Sequence, residues 1–157
     1  MIESLDTEVE LDLDALQVRL ERAFVARFGL DVGRDVASET IAWALEHRAA
    51  LADVDNVAGY LFRVGQSKSR RFLRWKNERA RFPAEAAARS ANSSFEPALP
   101  DALAELSDEQ RTAIVLVHCF QWTYAEVAEV TDQPLHTVRN LIHRGMKQLR
   151  SELGVER

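Results

Sequence analysis

Residues 134 to 150 contain the side chains of this sequence whose types and spacing best fit a chemical task. The stretch has four bases and no acid, with an asparagine and two histidines among them. At about 100° per residue these polar side chains share one side of a helix. They are His136, Arg139, Asn140, His143, Lys147 and Arg150, with Arg144 close by. Because Lys and Arg neutralise phosphates, and Arg and Asn can bond to base edges, the pattern indicates a nucleic-acid-binding surface.

A second basic region covers residues 63 to 89, where nine bases stand against two acids, a local charge of +7 (9 − 2). Helical spacing puts part of it on one polar side, formed by Arg63, Gln66, Ser67, Arg70 and Arg74. Lys68 falls on the apolar side, so we expect its stem to carry the ammonium group outward. The whole chain has a net charge of −5 (20 − 25), and its first 14 residues have six acids and no base. One basic run commonly marks only a solvated helix face, but two of them favour binding to phosphates.

The sequence shows no spacing of residues that is typical of a catalytic or metal-binding site. His118 and Cys119 are adjacent, whereas His136 and His143 belong to another helix, so no zinc-binding spacing exists. The sequence has no glycine-rich loop of the kind that cradles phosphates. A single cysteine cannot form an internal disulfide, and its apolar neighbours favour a small buried residue. We therefore predict a protein that is not an enzyme and uses no cofactor or metal.

The elements that must position these residues are predicted to be helices throughout. Apolar residues at intervals of three and four indicate a first helix over 10–28, and Gly29 should stop it. A second helix is predicted from Arg34 to Leu51, and a third, with the second basic surface on its outer side, from Asn56 onward. Strand patterns have almost no support.

The stretch "FPAEAAARSANSSFEPALPD" interrupts this helical pattern and contains three of the four prolines. Its small, polar composition is typical of a linker. We therefore predict an all-α protein with two small helical domains, 1–82 and 99–157, joined by a flexible linker over 83–98.

The C-terminal domain is predicted to contain a helix-turn-helix. Thr123 and Glu126 form a Thr-x-x-Glu capping box that begins a helix of about two turns. Residues 131 to 133 break that helix, and Pro134 suits the first turn of a new one. In this motif the second helix can lie in the DNA major groove. An ordinary helical hairpin is the alternative.

Membrane insertion is not expected, because no apolar run approaches the roughly 20 residues of a spanning helix. The N-terminus "MIESLDTEVELDLD" is acidic, whereas a secretory signal would be basic and then apolar. We expect a cytoplasmic protein.

The run "LSDEQRTAIVLVHCFQWTYAEVAEVTDQPLHTVRNLIHRGMKQLR" resembles region four of bacterial sigma factors. The matching residues are Leu106, Gln110, Arg111, Tyr124, Glu126, Val127, Ala128, Thr137, Val138, His143, Arg144, Leu149 and Arg150. More weakly, "RDVASETIAWAL" and "AGYLFRVGQSKSRRFLR" are similar to sigma region two. Regions two and four without a third are typical of the extracytoplasmic-function (ECF) group of the sigma-70 family.

This resemblance implies a transcription initiation factor whose partners are core RNA polymerase, promoter DNA and, as a further candidate, an anti-sigma factor. The minus-thirty-five element would be read by His136, Thr137, Arg139, Asn140 and His143, with Arg144, Lys147 and Arg150 on phosphates. The minus-ten element would meet Arg63, Arg70, Arg71 and Arg74. Core polymerase would contact Asp35, Ser38, Glu39 and Ala42.

The sequence departs from the family at a few positions. Ser38 stands for the usual Gln, Tyr60 for Trp and Ser67 for Asn, and Asp132 to Pro134 replace a turn that commonly contains Gly. Two alternatives therefore stay open: a sigma-like interaction module that does not open promoters, and a helix-turn-helix transcriptional regulator.

Overall fold

The computed structural model describes residues 12–76 and 98–155, without the side chains of 73–76. Over these residues the secondary structure consists of eight α-helices and contains no strand, so the all-α prediction is confirmed. The helices are α1 (Leu13–Phe28), α2 (Leu30–Glu46), α3 (Arg48–Leu51), α4 (Val57–Lys76), α5 (Leu99–Glu105), α6 (Asp108–His118), α7 (Tyr124–Thr131) and α8 (Leu135–Glu152). Within the described ranges, no helix combines the length and apolar composition of a membrane span.

A single glycine separates the first two helices. Gly29 has a φ of 91°, which residues with a Cβ rarely adopt, and α2 begins directly after it. The predicted start of the second helix at Arg34 is therefore wrong by four residues. Gly33 belongs to the helix because α2 approaches α1 closely there: a Cβ on Gly33 would lie 2.6 Å from the Val25 Cα.

α4 lies directly on α1 and α2. The rings of Phe24 and Phe62 stack with centroids 5.1 Å apart, and both side chains are buried. Gly65 faces the same ring, since a Cβ at this position would lie 2.1 Å from the Phe24 Cζ. This packing fixes which side of α4 is turned outward, and with it the direction of the second basic surface.

The C-terminal half is built around α6, which begins with a capping box. The Ser107 hydroxyl accepts a hydrogen bond from the Gln110 amide at 3.2 Å, and the Gln110 side chain accepts one from the Ser107 amide at 3.1 Å. α6 packs against α8 and also against α1 of the N-terminal half. Its residue Leu116 is fully buried.

The two halves contact each other, α1 against α6 and α4 against α7, and their buried residues form one apolar cluster. The division into domains 1–82 and 99–157 stays a prediction. All but the last residue of the predicted linker, 83–98, lies outside the described residues.

Candidate nucleic-acid interface

The first helix of the helix-turn-helix, α7, is fixed at its N-terminus by the predicted capping box. The Thr123 hydroxyl accepts from the Glu126 amide at 3.2 Å, and a Glu126 carboxylate oxygen accepts from the Thr123 amide at 2.7 Å. The bond from the Thr123 backbone, aided by the Thr123 side chain, lowers the pKa of Glu126. The ionised carboxylate thus satisfies an amide that the helix itself leaves unpaired.

The turn between α7 and α8 depends on Asp132, which has a φ of 52° and a ψ of 46°. This left-handed conformation is the one that glycine commonly supplies, and aspartate tolerates it better than most residues do. The Gln133 amide then donates to the Ala128 carbonyl at 3.0 Å and closes the end of α7. α8 begins at Leu135, so Pro134 lies one residue before the first turn in which it was predicted. The missing turn glycine therefore leaves the motif intact.

α8 has the two sides that its sequence predicts. Its inner side buries Val138, Ile142, Gly145 and Leu149. A Cβ on Gly145 would lie 2.5 Å from Ile114 Cδ1, so α8 lies close against α6 at this point. Its outer side carries seven exposed polar residues, named here the recognition surface. They are His136, Arg139, Asn140, His143, Arg144, Lys147 and Arg150.

Thr137 differs from the other predicted base-reading residues because it is half-buried. Its backbone amide donates to the Pro134 carbonyl at 3.0 Å and forms part of the first turn of α8. Thr137 therefore stabilises the first turn of α8 through its backbone, while its side chain is partly accessible to solvent.

The second basic surface lies on α4, where Arg63, Arg70 and Arg71 are exposed. The side chain of Arg74 lies outside the described residues. Arg63 Nη1 is 3.3 Å from Asp132 Oδ2, and Arg71 Nη2 is 2.9 Å from Glu39 Oε1. Sequence reasoning missed both pairs, because the partners are 69 and 32 residues apart along the chain and no local pattern joins them. Phe72 is half-buried and packs against the core.

On α2, the predicted polymerase contacts Asp35, Ser38 and Ala42 are exposed. Glu39 behaves differently: its side chain is 31% exposed and faces two cations of α4. Besides Arg71, the ammonium group of Lys68 lies 3.9 Å away. The Lys68 side chain is only 21% exposed and directs its charge toward Glu39, so its outward course stays a prediction. The four residues share one accessible stretch of α2, but one of them already has partners.

No cluster of His, Cys, Asp and Glu in the described ranges has the arrangement of a metal site. Cys119 is half-buried, and burial raises the pKa of its thiol. A raised pKa lowers the fraction of reactive thiolate at neutral pH.

Comparison with known proteins gives three results. The family described as "Sigma-70, region 4" matches residues 97–149, which include α6, α7 and most of α8. The ECF RNA polymerase sigma factor SigL of Mycobacterium tuberculosis strain H37Rv is 29% identical over 136 residues, covering 78% of this chain and 77% of SigL; the strain Erdman sequence gives the same values. The sigma factor RpoE from Bartonella quintana, solved in complex with the anti-sigma factor NepR, superposes with a TM-score of 0.55. That match has 19% identity, covers 99% of this chain and 100% of RpoE, and shows similarity of fold.

Proposed function

We propose that this chain is an ECF-group sigma factor of the sigma-70 family, which binds core RNA polymerase and directs promoter-specific initiation of transcription. The observation that carries the proposal is the recognition surface. It lies on the second helix of a helix-turn-helix, and all of it except Arg150 falls within the residues that match region four. An α-helix with exposed Arg and Asn side chains fits the width and the bonding groups of the DNA major groove.

In this proposal the minus-thirty-five element is read from the first half of α8. His136, Arg139, Asn140 and His143 are exposed there and would contact base edges, beside the half-buried Thr137. Arg144, Lys147 and Arg150 follow toward the end of the helix and would neutralise phosphates. Base contacts would set the sequence preference, and phosphate contacts would supply much of the affinity.

The minus-ten element would meet the outer side of α4, through Arg63, Arg70, Arg71 and Arg74. Arginines can follow the backbone of a strand as it separates from its partner. Two of these arginines have carboxylate partners in the free protein, and both guanidinium groups are largely exposed, although Glu39 itself is only 31% exposed. Exposed pairs of this kind typically contribute only about 0 to 1 kcal/mol, so phosphates can displace the carboxylates at small cost.

Core polymerase would contact α2 at Asp35, Ser38, Glu39 and Ala42. A basic surface on polymerase would be complementary to the two carboxylates, and such charge pairs mostly set the association rate and the salt sensitivity. The bond-forming chemistry would belong to polymerase, so we assign no enzymatic activity to this chain. Its place of action would be the cytoplasm, where the promoter DNA is.

An anti-sigma factor is a further partner that we propose, because RpoE was solved with one. The interaction-module and regulator alternatives gain no support from the comparisons, which name a sigma-70 region and an ECF RNA polymerase sigma factor.

The test is promoter-dependent transcript yield with purified core polymerase and the variant Glu39→Lys. Reversing this charge adds repulsion to the loss of a contact, and losing one partner of a desolvated pair costs about 2 to 5 kcal/mol. We expect transcription and polymerase binding to fall sharply, while binding of duplex DNA by the recognition surface stays unchanged.

Two matched variants make the result specific. Glu39→Gln removes the charge without placing a third cation beside Arg71 and Lys68, and should give an intermediate loss. Asp14→Lys makes the same charge reversal at an exposed residue of α1 and should leave transcription intact. If Glu39→Lys has the melting temperature of the wild type and also gives the wild-type transcript yield, α2 has no docking role.

A further inference from the structure

Two aromatic rings are stacked at the end of α2. The rings of Trp43 and His47 are nearly parallel, with 4.3 Å between their centroids and 11° between their planes. Tyr60, in the first turn of α4, lies beside the same indole, with ring centroids 6.1 Å apart. Trp43 and Tyr60 are half-buried against the core, whereas His47 is exposed. Because the indole covers one face of the imidazole, the exposed surface of His47 is its other face and its edge.

The orientation of the His47 ring is fixed by a hydrogen bond that the end of α2 does not need. The Trp43 carbonyl accepts from the His47 backbone amide at 3.0 Å, so this oxygen already has its partner within the helix. His47 Nδ1 lies 2.8 Å from the same oxygen and donates a second bond to it. The His47 carbonyl in turn accepts from the Ala50 amide at 2.9 Å. A ring held from both sides in this way is preorganised for a planar ligand.

The stacked rings continue a line of side chains along the seam between α2 and α4. Glu39, Trp43 and His47 follow each other at intervals of four residues. Glu39 meets Arg71 of α4, and Trp43 meets Tyr60. Arg71 lies 11 positions after Tyr60, or about 16 Å along the helix. The phosphates of one strand are about 3.4 Å apart in B-form DNA, so a strand bound at Arg71 can reach Tyr60 within a few nucleotides.

The two ends of this seam differ in charge. At one end, Arg70 and Arg71 of α4 are exposed and suit phosphates. At the other end, Glu46 and Arg48 flank His47, and both are exposed. Their charges cancel, so this end offers flat aromatic surface rather than positive charge. Sites for single-stranded nucleic acid typically combine a basic path for the backbone with aromatic rings on which the bases stack.

We propose that His47 and Trp43, with Tyr60 beside them, form a stacking site for one unpaired nucleobase, whose strand continues along the arginines of α4. Every base has a flat π-face, so the site should accept any base of a single strand. A base inside a duplex is stacked on its neighbours and cannot enter. Use of the site while a promoter opens rests on the proposed function, but the site itself rests on the ring geometry and can be tested without polymerase.

Two replacements of His47 separate stacking from capping. His47→Asn keeps a side-chain N–H that can reach the Trp43 carbonyl but removes the ring. His47→Phe keeps an aromatic ring but removes the N–H. If His47 only caps α2, Phe should do more damage than Asn, whereas stacking predicts the reverse. His118→Asn makes the same replacement at an exposed histidine at the end of α6 and serves as the control.

The first measurement is the affinity of the full-length protein for a single strand of thymidines about 12 nucleotides long, and for an abasic strand of the same length. Loss of one stacked base should weaken binding of the thymidine strand by about fivefold or more in His47→Asn. His47→Phe and His118→Asn should stay close to the wild type. The abasic strand should bind to all four proteins equally, because it has phosphates but no base to stack.

The second measurement locates the contact on the chain. Iodinated uracil in place of thymine cross-links under ultraviolet light to an aromatic ring that stacks on it, and the adducts can be mapped after digestion with trypsin. Cleavage at Arg34 and Arg48 releases residues 35–48, a peptide that contains both Trp43 and His47. We expect the adduct on this peptide in the wild type and a much weaker one in His47→Asn.

Several results would overturn the inference. They are equal affinity of the wild type for the thymidine and abasic strands, unchanged affinity in His47→Asn, a larger loss in His47→Phe than in His47→Asn, and adducts that map only outside residues 35–63. Weaker polymerase binding by His47→Asn with unchanged affinity for DNA would also overturn it and assign the rings to a protein partner.

The same experiments keep the site and the proposed function apart. Base-dependent binding that is lost in His47→Asn, by a chain that does not bind core polymerase, would refute the proposed function and leave the stacking site standing. Promoter-dependent transcription by a chain whose single-strand binding ignores the bases would refute the stacking site alone.

Discussion

Arg139 and Lys147 lie on the same exposed side of α8, eight residues apart, and their chemistry suits different tasks. A planar guanidinium group can bond to two acceptors of one base, whereas an ammonium group acts as a point charge beside a phosphate. Arg139 is also nearer the N-terminal end of the helix, which in this motif enters the groove.

We expect Lys147→Ala to weaken binding of duplex DNA similarly on all sequences. Each phosphate contact contributes roughly 0.9 to the slope of log affinity against log salt, so the slope should fall by about one. Arg139→Ala should instead cost about 1 to 3 kcal/mol on the preferred site and less elsewhere. Titrations of full-length protein with preferred and scrambled duplexes at several salt concentrations separate the two effects. Equal losses on both duplexes from Arg139→Ala would show that this residue does not read bases.

At the residue scale the sequence was a good guide to exposure but not to pairing. Helical spacing placed Arg139 and Lys147 outside and Val138 inside, because a 3.6-residue period depends only on neighbours in the chain. Spacing could not show that Glu39 pairs with Arg71, since that contact exists only when α2 and α4 pack together. A residue predicted to bind polymerase and a residue predicted to bind DNA therefore proved to be partners.

α7 has only eight residues, so its ends contribute much to its stability. The capping box at Thr123 and Glu126 depends on pH, because the bond from the Thr123 backbone lowers the pKa of Glu126. A carboxyl group with a depressed pKa in the folded state adds stability above its unfolded pKa of about 4.3, and this stability is lost as the pH falls through the folded pKa.

We therefore expect urea midpoints to fall less between pH 7 and pH 3 in Glu126→Gln than in the wild type. Glutamine keeps an acceptor for the Thr123 amide but does not titrate. Thr123→Ala removes the cap itself and should lower the free energy of unfolding by about 1 kcal/mol. Parallel midpoint curves for the wild type and Glu126→Gln would mean that the ionised carboxylate adds nothing to folding.

Element boundaries followed the sequence wherever a local signal exists. Ser107, Thr123 and Gly29 mark helix ends correctly because caps act through hydrogen bonds and backbone angles of adjacent residues. The start of α2 was missed by four residues, and the sequence alone does not show that Gly33 packs against Val25 of another helix. The turn at Asp132 lacks the glycine that is common there, and its left-handed backbone shows how aspartate replaces glycine.

At the scale of the whole molecule, the two halves share one apolar cluster although the sequence between them is typical of a linker. The linker composition predicts where a protease should cut, between Pro83 and Pro100. The contacts of α1 with α6 and of α4 with α7 predict whether the two fragments stay associated after cleavage.

We expect the two fragments to stay associated after cleavage and to elute together in size-exclusion chromatography at moderate salt. Burial of apolar surface is little weakened by salt, so the ion pairs alone should respond to higher ionic strength. A Cβ at position 59 would lie 2.8 Å from the Glu129 carbonyl oxygen of α7, so the fragments of Gly59→Ala should separate at a higher protein concentration than those of the wild type. Fragments of the wild type that elute apart at micromolar concentration would contradict the packing between the halves.

Asn56 makes two hydrogen bonds where α4 meets α7: its Oδ1 accepts from the Gly59 amide at 2.9 Å, and its Nδ2 donates to the Glu129 carbonyl at 2.7 Å. This double role limits which amino acids natural variation can place at position 56. Aspartate caps helices about as well as asparagine, so the stability of α4 alone would permit the exchange. Aspartate, however, has no N–H group, and its second oxygen would face the Glu129 carbonyl that Asn56 Nδ2 now bonds. Serine and threonine can also cap a helix, but they have no side-chain N–H group to donate to the Glu129 carbonyl. A chain that changes position 56 to one of these residues would therefore keep the cap of α4 and lose the bond to α7, so variation at this position would weaken the contact between the two halves without weakening the helix.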